Sequence, residues 1–95
     1  MARQLRIEYE GAFYHVISRG ERHENIFFND YDRLKFLEKL GELIDKFNLK
    51  IHCYALMNNH FHLLLETLEG NLSKAMHYLN TSYSNWFKSK HQIIG

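Results

Sequence analysis

Residues 57–65 read Met57-Asn58-Asn59-His60-Phe61-His62-Leu63-Leu64-Leu65. An apolar run ends on two asparagines and returns at once as a second apolar run. A strand sends successive side chains to opposite faces, so residues two apart share a face. His60 and His62 therefore project from one side, and Phe61, Leu63 and Leu65 from the other. If Asn58-Asn59 is a two-residue turn, it wants positive φ at both positions, which asparagine tolerates. That loop sets Met57 opposite His60, Ala55 opposite His62 and Cys53 opposite Leu64. Directly opposed residues share a face, so the small Ala55 leaves space beside the histidines for an ion or a phosphate. The same register sends His52 to the other face with Tyr54, Leu63 and Leu65, as a structural residue outside the site.

Outward from this hairpin, residues 50–57 and 60–66 are the second and third strands. Ala12 to Ser18 is the first, with Phe13, His15 and Ile17 on one face and Tyr14, Val16 and Ser18 on the other. His15 lies among apolar neighbours and reads as a hydrogen-bonded structural histidine. Arg19-Gly20-Glu21-Arg22-His23 then breaks the alternation. Gly20 allows a turn, and Arg19, Arg22 and His23 put positive groups at a strand end, where binding loops sit. A helix follows over residues 30–47. Asn29 is its N-cap and Asp30 and Asp32 suit its positive end. Leu34, Leu37, Leu40, Ile44 and Phe47 form its apolar stripe, and Asn48 is its stop. Gly41, inside this helix, should cost roughly 1 kcal/mol relative to alanine; close approach to a sheet would explain it. A second helix over residues 72–89 starts after Gly70-Asn71 and buries Leu72, Met76, Leu79, Tyr83 and Trp86. Lys74, His77, Lys88 and Lys90 lie off that stripe. Tyr83 reads as packing, and Tyr78 lies beside the stripe.

The order is strand, helix, strand, strand, helix. It predicts an α+β fold, an antiparallel sheet with helices on one face, as in the ferredoxin-like split β-α-β arrangement with its last strand missing. Ninety-five residues make one domain, residues 1–95, with a thin core that a partner subunit would help. The net charge of +1 neither supports nor excludes nucleic acid, because a binding patch is local. Arg3 and Arg6 in the polar lead-in either keep the terminus soluble or touch phosphates. Cys53 is the single cysteine, so no internal disulfide can form and a reducing cytoplasm is the simplest reading. No apolar run reaches membrane-spanning length.

Seven histidines in a chain this short point toward metal or phosphate chemistry. A bare His-x-His is a weak signal, because a catalytic metal usually takes three protein ligands. Its placement at the start of a very apolar strand, after a tight turn, gives it a rigid base. A divalent ion held there would suit phosphoryl transfer, and a tyrosine hydroxyl can be the nucleophile.

Five segments carry a family resemblance. They are Phe13-Tyr14-His15-Val16-Ile17-Ser18-Arg19-Gly20, Asn25-Ile26-Phe27-Phe28, His52-Cys53-Tyr54-Ala55-Leu56-Met57, Asn59-His60-Phe61-His62-Leu63-Leu64 and Tyr83-Ser84-Asn85-Trp86-Phe87. In this order the chain resembles the Y1 (HUH) single-strand transposases of the IS200/IS605 type, most closely the branch associated with repeated palindromic elements. Asn58 departs from the family, which commonly has proline there. The resemblance implies DNA transposition by a metal-dependent enzyme that cuts and rejoins single-stranded DNA, often at hairpin ends, through a phosphotyrosine. It implies His60 and His62 as ligands of Mg²⁺ or Mn²⁺, and a homodimer. It also places the nucleophilic tyrosine and a third metal ligand on a later helix, after a further strand. The matching run would begin at Gly95, so the resemblance implies a chain truncated before that helix. Neither Tyr78 nor Tyr83 occupies the family position, and Tyr78 is at most an outside candidate for a relocated nucleophile. Two other readings stand beside this one. One is a non-catalytic single-stranded DNA-binding or regulatory module on the same scaffold; the other makes both histidines plain surface residues.

Overall fold

The computed structural model describes residues 10–93. Leu63 and Leu65 have no solvent exposure, and the architecture follows from how they are covered. They belong to strand β3 (His60–Thr67), which lies between β1 (Ala12–Arg19) and β2 (Leu49–Leu56) in the order β1-β3-β2. Both pairings are antiparallel. Two helices, α1 (Asp30–Phe47) and α2 (Leu72–Lys90), complete the sequence β-α-β-β-α as expected. Both cover the face that carries Val16, Phe61, Leu63 and Leu65. Full burial of a leucine side chain is worth roughly 1.5–3 kcal/mol, so β3 anchors the fold. The opposite face carries Phe13, Ile17 and Leu64, all substantially exposed.

The hairpin register is as the sequence implies: Ala55 lies opposite His62 and Cys53 opposite Leu64. The Met57 amide donates to the His60 carbonyl at 2.8 Å. The turn differs, because neither asparagine has positive φ. Its geometry is held from outside instead. The Asn58 carbonyl accepts from the amides of Ile26 and Phe27, and the Asn59 carbonyl from Gly20. Arg33 of α1 adds two more bonds, from Nη2 to Asn58 Oδ1 at 2.6 Å and from Nε to the Leu56 carbonyl at 3.2 Å.

Gly20 also has another role than expected. Its φ is −67°, open to any residue. A Cβ there would lie 2.3 Å from the Glu24 carbonyl oxygen, so close approach of backbone demands the glycine. The positive φ values fall on Arg22 and His23, within the short 3₁₀ turn Glu21–His23.

Helix α1 starts as predicted, with Asn29 Oδ1 accepting from the Asp32 amide at 3.0 Å, and ends at Asn48 in the left-handed region. Its buried stripe is Asp32, Phe36, Leu40 and Leu43. Leu34 and Ile44 are exposed instead, because the helix is rolled so that Phe36 and Leu43 meet the sheet. Gly41 faces open space, with nothing within 4 Å of a Cβ built there, so no close approach explains it. In α2, Ala75 and Phe87 replace the expected Met76 and Trp86 at the most buried positions; Met76 and Trp86 flank them.

Asp32 is more than a helix-end charge. It is fully buried, and both its oxygens lie 2.9 Å from His91 Nε2 just beyond α2. Its Oδ2 also accepts from the Phe28 amide at 2.9 Å. The Phe28 and Phe87 rings pack on the imidazole. Among the described residues no helix is long and apolar enough to cross a membrane.

Candidate metal centre

The antiparallel registers place four cross-sheet rows on the face away from the helices. Arg19, His60 and Met57 form one end, followed by Ile17, His62 and Ala55. His15, Leu64 and Cys53 come next. In the last row Glu66 lies between Phe13 and Lys50, and the unpaired His52 is turned onto the same face. His52 belongs there because the β2–β3 register shifts between Ile51 and Cys53. This bulge absorbs one residue and turns His52 off the core face assigned to it from strict alternation. His52 stacks on Phe13 with ring centroids 5.4 Å apart, and its Nε2 lies 3.3 Å from Glu66 Oε1. It stands at the far end of the sheet from His60.

The site proper is the row end with His60 and His62. Their ring centroids are 5.1 Å apart. His60 Nδ1 lies 2.8 Å from Asn59 Oδ1. His62 Nδ1 lies 3.1 Å from His15 Nε2, with the two rings stacked at 5.3 Å. His15 therefore is hydrogen-bonded, as its reading as a structural histidine requires, but its partner is a site histidine rather than the core. It reaches His62 diagonally, because Ile17 is the residue directly opposite and a ring is long enough to span the diagonal. Arg19 is opposite His60 on the same face. The His62 pKa is lowered, first by desolvation and then by the nearby His60, His15 and Arg19 charges. Each of these effects shifts His62 toward the neutral imidazole that ligates metals.

This donor set fits a divalent ion. A neutral imidazole has one N–H and one lone pair. Both Nδ1 atoms are engaged by neighbours, so the Nε2 atoms are the ones left for a ligand. Among the described residues no three His, Cys, Asp or Glu side chains converge to hold a metal, so the face offers a two-histidine base. Ala55 lies opposite His62 on this face, with Ile17 on its other side.

Of the basic residues singled out in the sequence, Arg19 sits at the histidines. Arg22 and His23 are exposed in the turn that follows it. Arg3 and Arg6 lie outside the described residues. The structure does not bring Tyr78 to the site. Tyr78 is on α2, its hydroxyl donates to Glu42 Oε1 at 3.2 Å, and its ring packs on Phe47. Its pKa is raised by that bond, by desolvation and by the Glu42 charge. Tyr83 is packing, as expected: it is buried in the core cluster and donates to the Ile26 carbonyl at 2.6 Å. Burial and the Asp32 charge push its pKa up too. An activated nucleophile is shifted the other way. Tyr14 and Tyr54 alternate with His15 and with Cys53 and Ala55, so among the described residues no tyrosine shares the histidine face. Asn59, a turn residue by sequence, also engages His60 Nδ1, and its position next to His60 is the signal for that second role.

Fold and site together define an α+β protein of the split β-α-β type, with a histidine pair and an arginine on the sheet face opposite its helices. The chain belongs to the family described as IS200-like transposases, whose model matches residues 8–95. That membership makes DNA transposition its general function. No curated protein and no solved structure shows significant similarity to it.

Proposed function

We propose that the face bearing His60 and His62 is the divalent-metal base of a single-strand DNA transposition reaction, with Mg²⁺ or Mn²⁺ as the ion. The observation that carries this is the placement of two imidazoles with both Nδ1 atoms engaged, next to Arg19, on the sheet face away from the helices. His60 and His62 would hold the ion through Nε2. A bound divalent ion polarises a phosphodiester oxygen and stabilises charge developing at phosphorus. Arg19 pairs with a DNA phosphate and orients the backbone, with Arg22, His23 and the Arg3 and Arg6 segment as further phosphate contacts. In the full reaction a tyrosine oxygen bonds to phosphorus, the bond from phosphorus to the leaving sugar oxygen breaks, and that oxygen departs as a hydroxyl. The substrate we favour is the single-stranded end of a DNA hairpin, which agrees with the branch associated with repeated palindromic elements. The protein acts as a homodimer in this proposal; β1 and β2 are the edges of the described sheet, and an unpaired edge invites a partner.

A second reading is supported by one observation, that no described tyrosine shares the histidine face. It makes the chain a single-stranded DNA-binding module without chemistry. One experiment separates the two. The chain is incubated with a hairpin oligonucleotide and Mn²⁺, then run on native gels for binding and on denaturing gels for a covalent adduct. An adduct means that a tyrosine within these residues is the nucleophile. Metal-dependent binding weakened by His60→Ala, without an adduct, means that the chain provides the metal base alone. Binding indifferent to Mn²⁺ and to His60→Ala favours the module and sinks the metal reading.

A further inference from the structure

We propose that His15 is a positioning residue that accepts a hydrogen bond from His62 Nδ1–H, and so holds the His62 Nε2 lone pair toward a divalent cation. This role rests on the reading of His60 and His62 as the metal base. The tautomer of His60 is fixed by its neighbour in sequence. His60 Nδ1 is 2.8 Å from Asn59 Oδ1, and a carbonyl oxygen can only accept. The proton of neutral His60 is therefore on Nδ1, and its lone pair is on Nε2.

The His62 bond can run in either direction, because each imidazole nitrogen can donate or accept. If His15 donated, His62 Nδ1 would be the acceptor and Nε2 would carry the proton. His62 could then offer no ligand atom on the side away from His15. If His62 donates, His15 is protonated at Nδ1 and accepts at Nε2. Both members of the pair then present the same atom, Nε2, as a lone pair. Only the second arrangement makes the two rings equivalent ligands. It is the common device by which a ligating histidine gives its other N–H to an acceptor that fixes tautomer and ring orientation.

The strands make this device rigid. His15 sits in the middle of β1 and reaches His62 by the cross-strand diagonal, with the two rings stacked at an interplanar angle of 27°. Asn59 does the same for His60 from the turn. One ring is thus held by its neighbour in sequence, the other by a residue on another strand. In this arrangement His15 touches the far side of the His62 ring from Nε2. It is a support for the ligand, and the absence of a converging three-residue group among the described residues agrees with that.

The test needs two readouts on the full chain. Long-range ¹H–¹⁵N correlation spectra of the metal-free protein, at a pH where the imidazoles are neutral, report each tautomer directly. We expect His62 and His60 protonated at Nδ1, and His62 to move toward the Nε2–H form in His15→Phe. Mn²⁺ titration followed by electron paramagnetic resonance then gives affinity. We expect His15→Phe to lose roughly tenfold to a hundredfold, and His15→Gln, whose amide oxygen can accept, to recover part of it. His62 found as the Nε2–H tautomer in the unmutated chain overturns the proposal without any variant. So does an unchanged tautomer and affinity in His15→Phe. A chain that keeps His62 protonated at Nδ1 yet binds no Mn²⁺ overturns the metal reading itself, and this role with it.

Discussion

Replacing His91 by alanine should destabilise the protein far more than its place at the end of the last helix implies. The Asp32 carboxylate has no exposure and accepts from two groups, the His91 imidazole at 2.9 Å to both oxygens and the Phe28 amide at 2.9 Å. The alanine variant leaves a buried carboxylate with one donor. Removing one partner of a buried pair costs about 3–5 kcal/mol. The His91 side chain is 17% exposed, so some water can replace it and the lower end, about 3 kcal/mol, is the better figure. For a chain of this size that is a fall in Tm of about 12–24 °C. Asp30→Ala is the control. It breaks an ion pair to Arg33 at 3.2 Å whose acid is 96% exposed, and should cost no more than about 1 kcal/mol. Melting followed by circular dichroism reads both. The His91 loss should also persist at high salt, because a buried pair is poorly screened. A His91→Ala melt within a few degrees of the parent would refute the reasoning, since the carboxylate would then not depend on its partner.

The two glycines should respond in opposite ways. Gly20→Ala should destabilise, because its Cβ meets a backbone oxygen, whereas Gly41→Ala fills open space in a helix and should stabilise by about 1 kcal/mol; chemical denaturation of both variants is the check. Thr67→Val should be neutral or stabilising by about 1 kcal/mol, since the Thr67 hydroxyl is buried with no partner among the described residues, and a lower midpoint would contradict this. Tyr78 and Tyr83 both have raised pKa values. The unfolded chain therefore gives up those protons first, so stability is intact below the ordinary tyrosine value of 10.0 and falls as pH rises past it. Glu42→Gln should bring the Tyr78 titration, followed by ultraviolet absorbance, back toward the ordinary value.

The parts of the fold legible in the sequence were those with a strong local period. His60 and His62 share a face because a strand alternates, and the hairpin register follows from Met57 facing His60. The bulge was hidden, because nothing in Lys50-Ile51-His52-Cys53 marks an extra residue, so strict alternation misplaced His52. In α1 two stripes were available at helical spacing, one through Leu34 and Ile44 and one through Phe36 and Leu43. The sheet chose the second, and no local rule reports how a helix is rolled. The bonds that finish the site and the core join distant positions. His15 and His62 are 47 residues apart and Asp32 and His91 are 59 apart, so neither pair leaves a periodic trace.

The two-sided sheet also bears on how such a protein can change over generations. Along β1 and β3, residues that bind the helices alternate with residues that face outward. A substitution at Leu63 or Leu65 removes core volume at about 2–5 kcal/mol. A substitution at Phe13, Ile17 or Leu64, which hold up little of that core, should cost near the ±0.5 kcal/mol typical of surfaces. Each strand thus carries two nearly independent texts, written in alternate letters. One can be revised to suit a new partner while the other keeps the chain folded.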